Sequence, residues 1–120
     1  MAYNQGNANF KITTLPYIAQ LSSVNKSFIL DFNKDGLSDI ITAGNLPDFL
    51  PQFGRLDAMG ACVLINKGNR QFESMSPAAS GLFVNGVVRD MQLLSNGAKA
   101  GILFLRNNDF PKLFKWNNLN

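Results

Sequence analysis

The chain contains no histidine. That absence removes Ser-His-Asp and Cys-His nucleophile units, a histidine general base and every His-containing zinc site. A single cysteine, Cys62, rules out an intrachain disulfide and a multi-cysteine metal site. Glutamate is almost missing as well. Glu73 stands alone, and scarce glutamate argues against long exposed helices. Apolar runs are short. The stretch 101–105 falls far below the roughly 20 residues that cross a bilayer. Residues 1–10 have neither a basic start nor an apolar run, so no signal peptide is expected there. On that basis the chain is either cytoplasmic or a piece of a longer secreted protein. Lys plus Arg exceeds Asp plus Glu by 11 to 8, yet no two basic residues are adjacent. A nucleic-acid patch normally shows clustering, so a nucleic-acid partner is not expected.

What is present is turn chemistry. There are 15 Asn, 10 Gly and 5 Pro beside 10 Phe in 120 residues. Asn and Gly favour turns and positive φ, and the composition reads as short strands joined by tight turns. Apolar runs at 28–30, 40–43, 61–65, 87–94, 102–105 and 113–116 are the expected strands, with a shorter one at 71–73. Their continuous apolar character predicts burial on both faces, as in sheets stacked on sheets. The motif Asn4-Gln5-Gly6-Asn7-Ala8-Asn9-Phe10 returns as Asn66-Lys67-Gly68-Asn69-Arg70-Gln71-Phe72, with Asn, Gly, Asn and Phe kept, 62 residues later. A weaker correspondence at a similar spacing links the strands flanking 31–39 with those flanking 95–97. The chain therefore reads as all-β: antiparallel four-stranded units, about two blades of a partial β-propeller. The expected units are 1–22 (the end of a preceding blade), 23–82 (a full blade) and 83–120 (a degenerate final blade). A propeller needs at least about four blades, so terminal edges would be exposed unless another chain covers them.

The loop Asp31-Phe32-Asn33-Lys34-Asp35-Gly36-Leu37-Ser38-Asp39 carries the chemistry. Asp31, Asn33, Asp35 and Asp39 occupy positions one, three, five and nine, and Gly36 follows the third of them. The carbonyl of Leu37 stands at the position of a backbone ligand. Hard oxygen donors at this spacing suit Ca²⁺ better than Mg²⁺, which demands stricter octahedral geometry. Three of the seven aspartates crowd into nine positions and would repel without a cation. The competing reading is a plain Asx-rich turn whose side chains cap their own backbone. Position twelve is Thr42 rather than Glu, so this is not a complete EF-hand.

This loop between two apolar strands, with the NxGNxxF turn, resembles the VCBS/FG-GAP repeat family, whose blades build integrin-α-like propellers. The stretches around Gly54, Arg55, Asp57 and Gly60, then Gly81 and 86–90, look like the C-terminal part of bacterial cartilage-acidic-protein-like repeat proteins. The resemblance implies calcium in the hairpin loop, held by Asp31, Asn33, Asp35, Leu37 and Asp39. It also implies an extracellular, cell-surface or periplasmic location and a role in adhesion. The last unit departs from the pattern, since residues 94–98 lack acidic ligands, and no metal is expected there.

The remaining candidates each have two readings. Arg55 and Asp57 could face a ligand, or form an ion pair that holds a long loop. Arg89 and Asp90 are expected to bridge neighbouring units. Cys62, in an apolar run without an activating base, reads as a small buried hydrophobe. Phe10, Phe72, Phe83, Phe104, Phe114 and Trp116 could stack on sugar, but recurrence at the repeat spacing favours core packing. Trp116, beside a polar tail, is the exception that could meet a ligand. The expected function is a non-catalytic, calcium-stabilised module that binds protein or glycan. The alternatives are an assembly fragment that completes a propeller with another chain, and part of a propeller hydrolase or lyase using Asp57 or Asp90 with Arg55 or Arg89.

Overall fold

The computed structural model describes residues 1–45, 60–96 and 99–117, with the side chains of 96, 99, 116 and 117 outside that description. The architecture is all-β and antiparallel. Strands β1 (Ala2–Asn4) and β2 (Phe10–Ile12) form a hairpin. Strands β3 (Val24–Leu30), β4 (Asp39–Gly44), β5 (Ala61–Asn66) and β6 (Phe72–Met75) form a four-stranded meander. Strands β7 (Val88–Asn96), β8 (Lys99–Arg106) and β9 (Lys112–Asn117) form a three-stranded one. A 3₁₀ turn at Tyr17–Gln20 and a single-turn helix, α1 (Pro77–Ser80), are the helical elements among the described residues. Four strands to every unit was the expectation. Among the described residues only the middle sheet has four.

The inner strands of the middle sheet, β4 and β5, are buried on both faces because they are apolar at consecutive positions, whereas in the outer strand β3 the expected two-face burial fails and Ile29 is 72% exposed. In β4, Ile41 and Ala43 stand directly opposite Val63 and Ala61 of β5 and share one face, while Ile40 and Thr42 share the other with Leu64 and Cys62. Period-two alternation puts them there. The first face, continued by Ile65, packs against Val88, Met91, Ile102 and Phe104 of the third sheet and against Leu82 and Val84 before it. Phe114 closes this core edge-on to Phe104, ring centroids 5.5 Å apart. The second face (Ile40, Cys62, Leu64) is covered by Leu15, Ile18 and Ala19 from the connection after β2, and by Phe72. Expected core positions at Phe104, Phe114 and Phe72 hold. Phe10 and Phe83 do not: they are 60% and 58% exposed. Among the described residues the sheet of Phe10 has two strands, and so no inner strands to pack on.

The repeat seen in sequence is reproduced bond for bond in the two turns. In the first, Gln5 N–H donates to the Asn9 carbonyl at 2.8 Å and Asn9 N–H to the Gly6 carbonyl at 2.9 Å. In the second, Lys67 and Gln71 make the same bonds to Gln71 and Gly68, both at 2.9 Å. The Asn4 side chain accepts from Gly6 N–H at 2.8 Å as Asn66 accepts from Gly68 N–H at 2.9 Å. Three consecutive residues in each turn have positive φ, led by Gly6 and Gly68. A second equivalence is visible at the entry strands. The β3–β4 and β7–β8 pairings both shift register at a bulge, between Val24 and Lys26 and between Val88 and Asp90.

The two bulges meet. Asn25 Nδ2 donates to the Val88 carbonyl at 2.7 Å, and Lys26 Nζ stands 3.0 Å from Asp90 Oδ1. Gly60 sets how closely the chain passes the segment before β7, because a Cβ there would collide with the carbonyl oxygen of Val84. Glycine is required at that crossing for want of space, not for its backbone angles.

Candidate functional site

The 31–39 loop joins β3 to β4 and is stitched by its own Asx side chains. Asp31 accepts the backbone N–H groups of Asp35 (3.1 Å) and Gly36 (2.9 Å). Asn33 Oδ1 accepts the Asp35 N–H at 3.2 Å, and its Nδ2 donates to Asp35 Oδ2 at 2.8 Å. Asp35 Oδ1 accepts the Leu37 N–H at 2.8 Å. Gly36 turns the chain at φ 86°, and Lys34 also has positive φ. The Asn33 amide beside Asp35, then the Leu37 N–H and the positive charge of Lys67, hold the Asp35 carboxyl below the usual carboxylate range. Asp35 is thus ionised at neutral pH.

Asp39 behaves differently from the other three. It is fully buried, whereas Asp31, Asn33 and Asp35 are exposed. Its Oδ2 accepts from Phe32 N–H (2.8 Å) and Asn33 N–H (3.4 Å), and its Oδ1 accepts from Asn66 N–H (2.8 Å). Asp39 therefore ties the end of the loop both to the loop's own beginning and to β5. Asn66 adds a second tie by donating Nδ2 to the Ser38 carbonyl at 3.0 Å. The sequence reading did not assign Asn66 to this site. The signal was available, since Asn66 opens the repeated turn and its side chain also caps Gly68.

The donor chemistry fits a hard divalent cation. A carboxylate offers about four acceptor sites. Asp31 and Asp35 spend two each on the loop bonds above, and Asn33 spends one on its amide oxygen. Asp39, with three N–H donors, has the least capacity left. Asp31, Asn33, Asp35 and the Leu37 carbonyl would be the principal donors to Ca²⁺, with Asp39 adding at most one oxygen through Oδ1. A bound cation would supply charge neutralisation and a cross-link between the ends of β3 and β4. Among the described residues, no three His, Cys, Asp or Glu side chains gather as a metal-holding group. A cation there would be held instead by mixed carboxylate, amide and carbonyl oxygens.

The other candidates separate in space or lie elsewhere. Arg55 and Asp57 fall outside the described residues, and so does the side chain of Trp116. The backbone of Trp116 runs in β9 opposite Ala100. Asp90 bridges two sheets through Lys26, whereas Arg89 is exposed. Lys26, then Gln92 and the Met91 N–H, hold the Asp90 carboxyl below the usual range. An ionised, cation-paired carboxylate is poorly suited to donate a proton. Cys62 is buried near the start of β5, and burial pushes its thiol up to about 11. At neutral pH it remains a protonated thiol, the less nucleophilic form. Among the described residues, no helix is long and apolar enough to cross a membrane.

No protein-family model matches the chain, and no curated protein and no solved structure matches it significantly.

Proposed function

We propose that this chain is a non-catalytic repeat module of the VCBS/FG-GAP kind, whose sheets are propeller-type blades. Calcium bound at Asp31, Asn33, Asp35, Leu37 and Asp39 stabilises the middle sheet, and the module serves protein or glycan binding at an extracellular surface. The observation that carries the reading is the 31–39 loop. It places three exposed Asx side chains and a glycine turn between two paired strands, and it anchors its far end in the core through Asp39. The cation's role is structural. Binding to the folded state alone adds RT ln(1 + [Ca²⁺]/Kd), about 2.7 kcal/mol at a hundred times Kd.

The test is a pair of thermal melts. Chelator should lower the melting temperature and excess Ca²⁺ should restore it. Asp35→Ala should melt like the chelated protein and ignore added Ca²⁺. Superimposable melts in chelator and in Ca²⁺ would sink the metal reading.

A second reading, as a part that completes its sheets with another chain, is favoured by one observation. Among the described residues the β1–β2 sheet has two strands, although its turn matches that of the four-stranded sheet.

A further inference from the structure

We propose that Asn85 is a self-modification site. The Gly86 backbone nitrogen attacks its side chain and converts it to aspartate and isoaspartate, and Arg106 takes up the new carboxylate. This goes beyond the calcium-module reading and does not depend on it.

Three pairs in the sequence place Asn or Asp directly before glycine: Asp35–Gly36, Asn85–Gly86 and Asn96–Gly97. Glycine has no Cβ to shield its nitrogen, so these pairs are the most open to ring closure onto the preceding side chain. Gly97 lies outside the described residues. The fold separates the other two pairs. At 35–36 both reacting groups are engaged. Gly36 N–H donates to Asp31 Oδ2 at 2.9 Å, and Asp35 Oδ1 accepts from Leu37 N–H at 2.8 Å. At 85–86 they are open. Both residues are exposed, in the connection between α1 and β7. Among the described residues, nothing accepts the Gly86 N–H or the amide hydrogens of Asn85. A Cβ built on Gly86 would meet no atom within 4 Å, so the ring has room to form.

The step needs no reagent but water. The Gly86 nitrogen gives its proton to solvent base and bonds to Asn85 Cγ. The Cγ–Nδ2 bond breaks, and ammonia leaves with a proton returned by solvent. Water then opens the resulting succinimide. Opening at Cγ gives aspartate, and opening at the main-chain carbonyl carbon gives isoaspartate. Either way a neutral amide has become a carboxylate. Arg106 is already aimed at that group. Its Nη1 donates to Asn85 Oδ1 at 3.0 Å and to the Asn85 carbonyl at 3.4 Å. The Arg106 side chain is only 10% exposed, and it is held by Asp109 at 2.6 Å and by the Phe110 carbonyl at 2.9 Å. A full negative charge at position 85 therefore meets a guanidinium fixed beforehand, and the bond between them strengthens.

The full chain is aged at mildly alkaline pH, once in native buffer and once in urea. It is then digested in acid and mapped by mass spectrometry that resolves isoaspartate. A site the fold closes reacts only when the fold opens, whereas Asn85 should convert in native buffer within about tenfold of its rate in urea. Both products should appear. In melts at neutral pH, Asn85→Asp should melt above the native chain. That gain should shrink in high salt and vanish on an Arg106→Gln background. Native conversion slower than that margin overturns the proposal. So does an Asn85→Asp variant that melts no higher than the native chain. A gain that survives high salt unchanged overturns it as well, and this holds even where Arg106→Gln fails to fold. A gain kept by a folded Arg106→Gln protein does the same.

Discussion

Asp39 and Asp35 sit four residues apart in one loop and do different physical work. Asp39 is a buried acceptor for three backbone N–H groups, two from its own loop and one from β5. Removing it strands donors that water reaches poorly, at about 1–3 kcal/mol for each buried unsatisfied group. Asp39→Ala should therefore destabilise the fold by on the order of 3 kcal/mol or more in urea unfolding. Asp39→Asn keeps one acceptor oxygen and should fall between it and the native chain. Asp35 is exposed, and its replacement should act mainly through the cation. A larger loss for Asp35→Ala than for Asp39→Ala, measured in chelator, would invert this assignment. At this scale the site was legible in part. The spacing of Asp31, Asn33, Asp35 and Asp39 identified the loop, because turn chemistry is local. That Asp39 would be buried and shared with Asn66 depends on strand pairing across 27 positions, which spacing along one loop does not carry.

At the scale of the element, the sheet register is set by turns and held by close crossings. Strands at 40–43, 61–65 and 102–105 were readable from β-branched and apolar runs. The β1–β2 hairpin was not read as strands, since Ala2–Asn4 and Phe10–Ile12 are too short and too polar to signal themselves. Only the repeated turn marks them. The matched bulges in β3 and β7 were also invisible, as a bulge is a property of the pairing and not of one strand. Gly60 offers the sharpest test here. Gly60→Ala forces a Cβ onto the Val84 backbone, which cannot swing aside as a flexible side chain would. Overpacking of this kind typically costs about 1–3 kcal/mol. The variant should melt well below the native chain. A Gly68→Ala variant should lose less, because a Cβ there meets no atom within 4 Å, leaving only the strain of its positive φ.

For the molecule as a whole, the titration behaviour follows from what the chain lacks. The chain has no histidine, the residue whose ordinary value lies nearest neutrality, and burial pushes the Cys62 thiol up to about 11. Stability should be flat between about pH 5 and 7. It should fall only in acid. Asp35 and Asp90 have folded-state values below their unfolded ones, so their contribution is complete above the unfolded value. It is lost as pH drops below about 3.9, the unfolded aspartate value. Melts every half unit from pH 2.5 to 7 would check this, and a step near pH 6 would contradict it. Fold class was legible at this scale from Asn, Gly and Phe content and from the scarcity of Glu. The number of strands in each sheet was not, because a repeat spacing gives the length of a unit and not how many of its strands this chain supplies.

The position of Cys62 has a practical consequence. It is the chain's only thiol, it lies in an inner strand of the central sheet, and its Sγ–H points back at the neighbouring Val63 carbonyl. A thiol reagent reaches it only when that sheet opens, and meets little thiolate when it does. The rate of its modification is therefore a built-in clock for breathing of the sheet between the two cores. Nothing foreign has to be installed to read it.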